Sequence, residues 1–148
     1  MADFRRRATA VWNGDLRGGK GKFSSHSGLA KDVPYSFTTR FADEPGTNPE
    51  ELLASALASC YSMALANQLS SKGYTVESIQ TEATCFFGPI PESGFRIKKM
   101  HLQVAGQVTG IDAATFAQVA KETEASSCPV SILLRGCVPI ELDATLLK

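Results

Sequence analysis

The chain has 148 residues, the usual size of one domain, and 15 Lys and Arg balance 15 Asp and Glu to a formal net charge of zero. This balance argues against a nucleic-acid partner, which would attract an excess of positive charge. With 43% hydrophobic and 20% charged residues, the composition is that of a folded soluble domain. No apolar run approaches the ~20 residues of a membrane span, and no secretory signal is evident. We therefore expect a single cytoplasmic domain over residues 1–148.

The first forty residues predict three antiparallel strands separated by glycine-rich turns. The strands are expected at residues 9–12, 22–25 and 34–41, where polar and apolar residues alternate in short runs. The segment from Gly18 to Gly21 lacks both the helix start and the Lys-Ser/Thr pair of a phosphate-binding loop. We interpret it as a hairpin turn.

A long helix is predicted next, from Pro49 to about Ser71. Asn48 can cap its free amides, Pro49 suits the first helical position, and Glu51 completes a capping box. Almost no charge follows Glu51, and the apolar residues cover most of the helical circumference. We therefore expect a central helix that is buried on several sides.

The rest of the chain predicts a hairpin, two shorter helices and a last strand. The hairpin strands are expected at 75–87 and 95–108, the helices after Asp112 and from Pro129 to about Arg135, and the last strand at 138–146. A change of apolar phase predicts a bulge near Lys98 and Lys99. The order βββαββααβ indicates an α+β domain with mainly antiparallel pairing.

Two of the four cysteines have distinctive settings. The spacing of Cys60, Cys85, Cys128 and Cys137 matches no zinc or iron–sulfur pattern, so we expect no metal and no other cofactor. Cys60 lies in the most apolar helix, where burial alone would raise its pKa. Cys128 stands at a helix start, where free amides favour a thiolate. We interpret Cys85 and Cys137 as structural strand residues.

A buried cation could keep Cys60 ionised. Lowering a thiol pKa from ~8.5 to ~6 requires about 3.4 kcal/mol, which one hydrogen-bonded arginine can supply. Arg40 is a lone charge in the third predicted strand, either a surface residue or an internal one paired with Glu50 or Glu51. Glu50 and Cys60 lie about 15 Å apart along one helix. They cannot share a site by direct contact within one chain, and if both serve one site, the simplest solution is a homodimer whose central helices pack together.

Five segments carry a resemblance that extends from about residue 10 to residue 146. They are YSFTTRF at 35–41, GTNPEEL at 46–52, ASCYSMAL at 58–65, GID at 110–112 and CPVS at 128–131. Together they resemble the OsmC/Ohr family of organic hydroperoxide reductases, in the osmotically inducible OsmC branch. The resemblance implies an OsmC-like fold, an intertwined homodimer with sheets of both chains around two central helices.

The resemblance also implies a thiol-dependent peroxidase without metal or haem. Cys60 would attack an organic hydroperoxide, and hydrogen peroxide more weakly, and Cys128 would condense with the resulting sulfenic acid to a disulfide. Arg40 and Glu50 would hold the thiolate and orient the peroxide. Arg17 is the alternative, since the Ohr branch places its arginine in an early loop. A dithiol, in related proteins a lipoylated protein or dihydrolipoamide, would reset the cysteine pair.

Two other functions are compatible with the same residues. A non-catalytic peroxide sensor could use Cys60 and Cys128 for signalling, and rapid multiple turnover would exclude it. A small-ligand-binding protein of the same fold would leave cellular peroxide resistance unchanged after Cys60→Ser.

Overall fold

The structure, a computed structural model, describes residues 3–147. The backbone divides into two compact units, Met1–Pro49 and Glu50–Lys148. The expectation of one domain over residues 1–148 stays a prediction.

A three-stranded antiparallel sheet forms the N-terminal unit. Its strands, in spatial order, are β1 (Ala8–Asn13), β2 (Lys20–Ser25) and β3 (Val33–Ser36). Asp15 closes the turn between β1 and β2, because its carboxylate accepts the backbone N–H groups of Arg17 at 2.8 Å and Gly18 at 2.7 Å. The predicted hairpin turn is confirmed.

The third predicted strand is wrong beyond Ser36. A short helix, α1 (Phe37–Phe41), follows β3 directly. The Ser36 hydroxyl accepts the Thr39 N–H at 3.2 Å, and the Thr39 hydroxyl accepts the Ser36 N–H at 3.0 Å. This reciprocal capping box turns the chain into a helix despite its β-prone aromatic residues. Arg40 therefore lies on a helix and not in a strand.

The C-terminal unit contains the long helix, the long hairpin, two shorter helices and the last strand. The elements are α2 (Pro49–Ser71, whose first residue belongs to the other unit), β4 (Thr75–Ile90), β5 (Gly94–Thr109), α3 (Ala113–Ser126), α4 (Pro129–Arg135) and β6 (Ile140–Leu146). The sheet order is β4-β5-β6, with β4 and β5 antiparallel and β5 and β6 parallel. The predicted α+β class with mainly antiparallel pairing is confirmed.

The predicted irregularity in the second hairpin strand is also present. Phe86 pairs with Lys99, and the next residue, Phe87, pairs with Ile97. Lys98 is thus the extra residue of a bulge. Because of this extra residue, the alternation of side chains between the two faces of β5 shifts by one at Lys98.

The central helix is buried along one stripe. Leu57, Tyr61, Leu65 and Leu69 recur every four residues and are fully buried. They belong to the core that also holds β5 and α3 side chains. Elsewhere on α2, Met63 is 75% exposed. The expectation of burial on several sides is wrong for a single chain, because a three-stranded sheet and two short helices cover one face only.

Among the described residues, α2 is the one helix long and apolar enough, by length and composition, to cross a membrane. The expectation that no segment reaches this threshold is wrong. The core helix of a soluble protein meets the same criterion, and the buried stripe of α2 is that of a core helix.

Candidate active site

The structure brings Cys60 and Cys128 together. Cys60 is half-buried in the middle of α2, and Cys128 is fully buried immediately before α4. Both are free thiols. The Cys128 thiol lies close enough to Cys60 to interact with it by hydrogen bonding and by charge. These are the two cysteines that the sequence singles out.

Backbone amides in the first turn of α4 lie near both sulfur atoms. Cys128 is the N-cap of α4, as predicted, and its Sγ accepts the Ser131 N–H at 3.4 Å. The backbone N–H of Val130 lies near the Cys60 sulfur and favours its charged form. Pro129, at the first helical position, immediately precedes these two amides and fixes the backbone that leads into them. The first turn of α4 is therefore close to two sulfurs from distant parts of the chain.

The surroundings of Cys60 oppose its ionisation. Burial raises the pKa of the Cys60 thiol, and the neighbouring Cys128 thiol raises it further. The Val130 N–H lowers the pKa of Cys60, but by less than burial raises it. Cys60 therefore needs a further positive charge to be a thiolate at neutral pH.

Two buried polar residues near these cysteines in the chain were not predicted from the sequence. The fully buried Tyr61, next to Cys60, donates its hydroxyl to the Ala120 carbonyl of α3 at 2.7 Å, and burial raises its pKa, so it remains a neutral donor. The fully buried hydroxyl of Ser131 has no hydrogen-bond partner among the described residues. The one sequence signal for Ser131 is its position three residues after the capping residue Cys128.

Glu50 lies away from Cys60 within one chain. It is 8% exposed in the first turn of α2, whereas Glu51 is exposed. Burial raises the pKa of Cys85 on β4, and the negative charge of Glu50 raises it further, so Glu50 lies near Cys85. This placement agrees with the distance expected along the helix. Any joint action of Glu50 and Cys60 requires two chains.

The two candidate arginines belong to the N-terminal unit. Arg40 is half-buried, and its guanidinium carbon lies 5.2 Å from the centre of the Phe41 ring. Arg17 is exposed in the turn before β2, with its guanidinium carbon 5.3 Å from the Phe37 ring centre. Arg17 also lines a cavity of about 650 Å³ in this unit. The choice between the two arginines stays a prediction.

The other cysteines differ in setting. Cys85 is half-buried on β4, as expected. Cys137 lies between α4 and β6 and is exposed, so its expected place in a strand is wrong. The helix stop after Arg135 leaves a short turn before the last strand begins. Within residues 3–147, no group of three or more His, Cys, Asp or Glu side chains could hold a metal ion.

Comparison with known proteins places the chain in a family. A sequence model described as OsmC-like protein matches residues 42–143. Peroxiredoxin OsmC of Escherichia coli is 41% identical over 136 residues, which are 92% of this chain and 94% of the relative. The uncharacterized protein YmaD of Bacillus subtilis is 30% identical over 104 residues, 68% of each chain. The chain belongs to the OsmC-like protein family.

Solved structures agree with this assignment at the level of fold. An organic hydroperoxide resistance protein from Elizabethkingia anophelis has a TM-score of 0.74 at 20% identity, covering 99% of both chains. The organic hydroperoxide resistance protein OhrB of Bacillus subtilis has a TM-score of 0.70 at 20% identity, covering 94% of this chain and 98% of its own. The predicted OsmC-like fold is confirmed.

Proposed function

We propose that this protein is a thiol peroxidase that reduces organic hydroperoxides to alcohols through Cys60 and Cys128. The observation that carries the proposal is the closeness of these two free thiols, which interact near the first turn of α4. The expected enzyme class, a cysteine-based peroxidase, agrees with the name peroxiredoxin borne by a relative of 41% identity.

The reaction begins at Cys60. Its thiolate attacks the terminal oxygen of the hydroperoxide, so that an S–O bond forms and the O–O bond breaks. The leaving alkoxide takes a proton and departs as the alcohol. The sulfur of Cys128 then attacks the Cys60 sulfenic acid, an S–S bond forms, and the hydroxyl leaves as water. A dithiol such as a lipoylated protein or dihydrolipoamide returns two electrons and reduces the disulfide.

An arginine supplies the charge that this chemistry needs. Since burial holds the pKa of Cys60 high, a guanidinium beside the sulfur must offset the cost of the thiolate. The same cation would stabilise negative charge on the leaving oxygen. We assign this role to Arg40, with Arg17 as the alternative. Arg40 lies between Thr39 and Phe41 in a helix that is fixed by its capping box.

A homodimer completes the site. The face of α2 that carries Met63 exposes apolar surface in a single chain, and a second α2 of the same sequence is its natural cover. Packing two α2 helices in opposite directions would bring Glu50 of the partner subunit towards Cys60. There its carboxylate would orient the arginine, a role that Glu50 cannot take within its own chain.

The substrate and the compartment follow from the same features. The apolar side chains around Cys60 favour hydroperoxides with an alkyl tail, which has surface to bury, over hydrogen peroxide. Four free cysteines agree with a reducing compartment, and we place the protein in the cytoplasm.

Catalytic turnover is the first test. With tert-butyl hydroperoxide, Cys60→Ser should lower peroxide consumption at least a hundredfold, because the attacking sulfur is gone. Cys128→Ser should still consume one equivalent but should lose turnover with a dithiol. The exposed Cys137→Ser is the matched control and should behave as wild type. Consumption is followed with dihydrolipoamide and with thioredoxin as competing donors. Wild-type protein that stops after one equivalent with both donors would instead be a sensor.

The pH profile identifies the arginine. Arg40→Ala should raise the pKa of Cys60 and move the rising limb of the rate–pH profile to higher pH. If the thiol pKa lies above neutral pH, raising it by one lowers the thiolate fraction, and with it the rate at neutral pH, about tenfold. Stopped-flow peroxide consumption measured from pH 5 to pH 9 provides the profile. The paired variant Arg17→Ala should leave the profile in place; the reverse pattern would transfer the role to Arg17.

Sedimentation tests the dimer. Wild-type protein should sediment as a dimer, and Met63→Lys should dissociate it and slow peroxide consumption at least tenfold, since two buried lysines would face each other. Met63 is 75% exposed within one chain, so this change should leave each chain folded. Met63→Leu keeps the apolar face and is the control. A fully active wild-type monomer would refute the shared site.

A further inference from the structure

An ion pair with a buried carboxylate joins α3 to α4, the two helices on either side of Cys128. Glu124 is 4% exposed, and its carboxylate accepts the Arg135 Nε–H at 3.2 Å and pairs with Nη2 of the same guanidinium. The Arg135 side chain remains 48% exposed. A buried carboxylate that loses such a partner is strongly unfavourable. The pair therefore fixes the end of α4 against α3.

This ion pair spans the segment that carries Cys128. Ser127 and Cys128 alone connect α3 to α4, and both donate their backbone N–H to the Thr123 carbonyl at 3.0 Å. The start of α4 is thus tied to α3 by backbone bonds, and its end by Arg135 and Glu124. The Tyr61 hydroxyl in turn ties α3 to α2. A continuous set of contacts connects the Glu124 carboxylate to the helix that bears Cys60.

We propose that the Glu124–Arg135 ion pair positions Cys128 for its attack on the Cys60 sulfenic acid, and so favours disulfide formation over further oxidation of Cys60. The inference rests on the proposed peroxidase function. In the favoured step, the S–S bond forms, the S–O bond breaks, and the hydroxyl leaves with the Cys128 proton as water. In the competing step, a second hydroperoxide transfers its oxygen to the sulfenic sulfur, which yields a sulfinic acid and a second alcohol.

Disulfide formation is the step whose rate depends most on the position of α4. The bond requires a Cβ–Cβ distance near 3.8 Å and a restricted dihedral angle, so a displacement of about 1 Å at Cys128 removes the reactive arrangement. The first oxidation of Cys60 has a weaker dependence, because α4 contributes only the Val130 N–H to that sulfur. Glu124 and Arg135 contact neither sulfur among the described interactions, and they are positioning residues.

The test separates the two steps in a single turnover. In Arg135→Met, the rate of Cys60 oxidation should stay within about threefold of wild type, whereas disulfide formation should slow at least tenfold. Excess hydroperoxide should then convert more Cys60 to the sulfinic acid, which mass spectrometry quantifies. Lys72→Met is the matched control. It breaks the exposed pair, 3.7 Å long, between Lys72, which directly follows α2, and Glu122 of α3, and should change neither step.

Two further variants distinguish positioning from general destabilisation. The double variant with Glu124→Gln and Arg135→Met has no unpaired buried charge, so its stability should recover while disulfide formation stays slow. Arg135→Lys should restore part of the rate, because a lysine keeps the charge but not the paired donors. Wild-type disulfide formation in Arg135→Met, or full recovery of its rate in the double variant, would overturn the proposal. If hydroperoxide does not oxidise Cys60 of the wild-type protein, the peroxidase function itself is contradicted.

Discussion

The closeness of the Cys60 and Cys128 thiols is the feature on which the rest of the proposed site depends. One sulfur belongs to the middle of a long helix and the other to the cap of a short helix late in the chain. The Ser131 amide donates to the Cys128 sulfur and the Val130 amide lies near the Cys60 sulfur, so the first turn of the short helix is close to both sulfurs. A redox reaction that forms and breaks an S–S bond needs this closeness in the reduced state, because large movements would leave the sulfenic acid unprotected.

Burial and ionisation make opposite demands at Cys60. An apolar setting favours an organic substrate, yet it raises the pKa of the thiol that must attack. The proposed solution is an arginine that offsets the cost of the thiolate and a carboxylate, that of Glu50 from a second chain, that orients this arginine. A half-covered central helix with an exposed Met63 agrees with such an arrangement.

Features that depend on interactions between residues close together in the sequence could be predicted from the sequence. The cap of α4 at Cys128, the start of α3 at Asp112 and the bulge at Lys98 follow from nearest neighbours in the sequence. The helix that contains Arg40 was not predicted, because the Ser36–Thr39 capping box outweighs the strand-like residues around it. The pairing of Glu124 with Arg135 could not be predicted, since it depends on the angle between two helices. The partial burial of α2 could not be predicted either, since it depends on how much of the helix surface one small sheet can cover.

The most direct measurement of the central claim is the map of disulfides after one equivalent of organic hydroperoxide. Peptide mass spectrometry of the oxidised wild-type protein should show a single bond, between Cys60 and Cys128 of the same chain. Cys85 and Cys137 should remain free thiols, because one is shielded on β4 and the other lies outside the contact. A bond to Cys85 or Cys137, or no bond after the peroxide is consumed, would contradict the account.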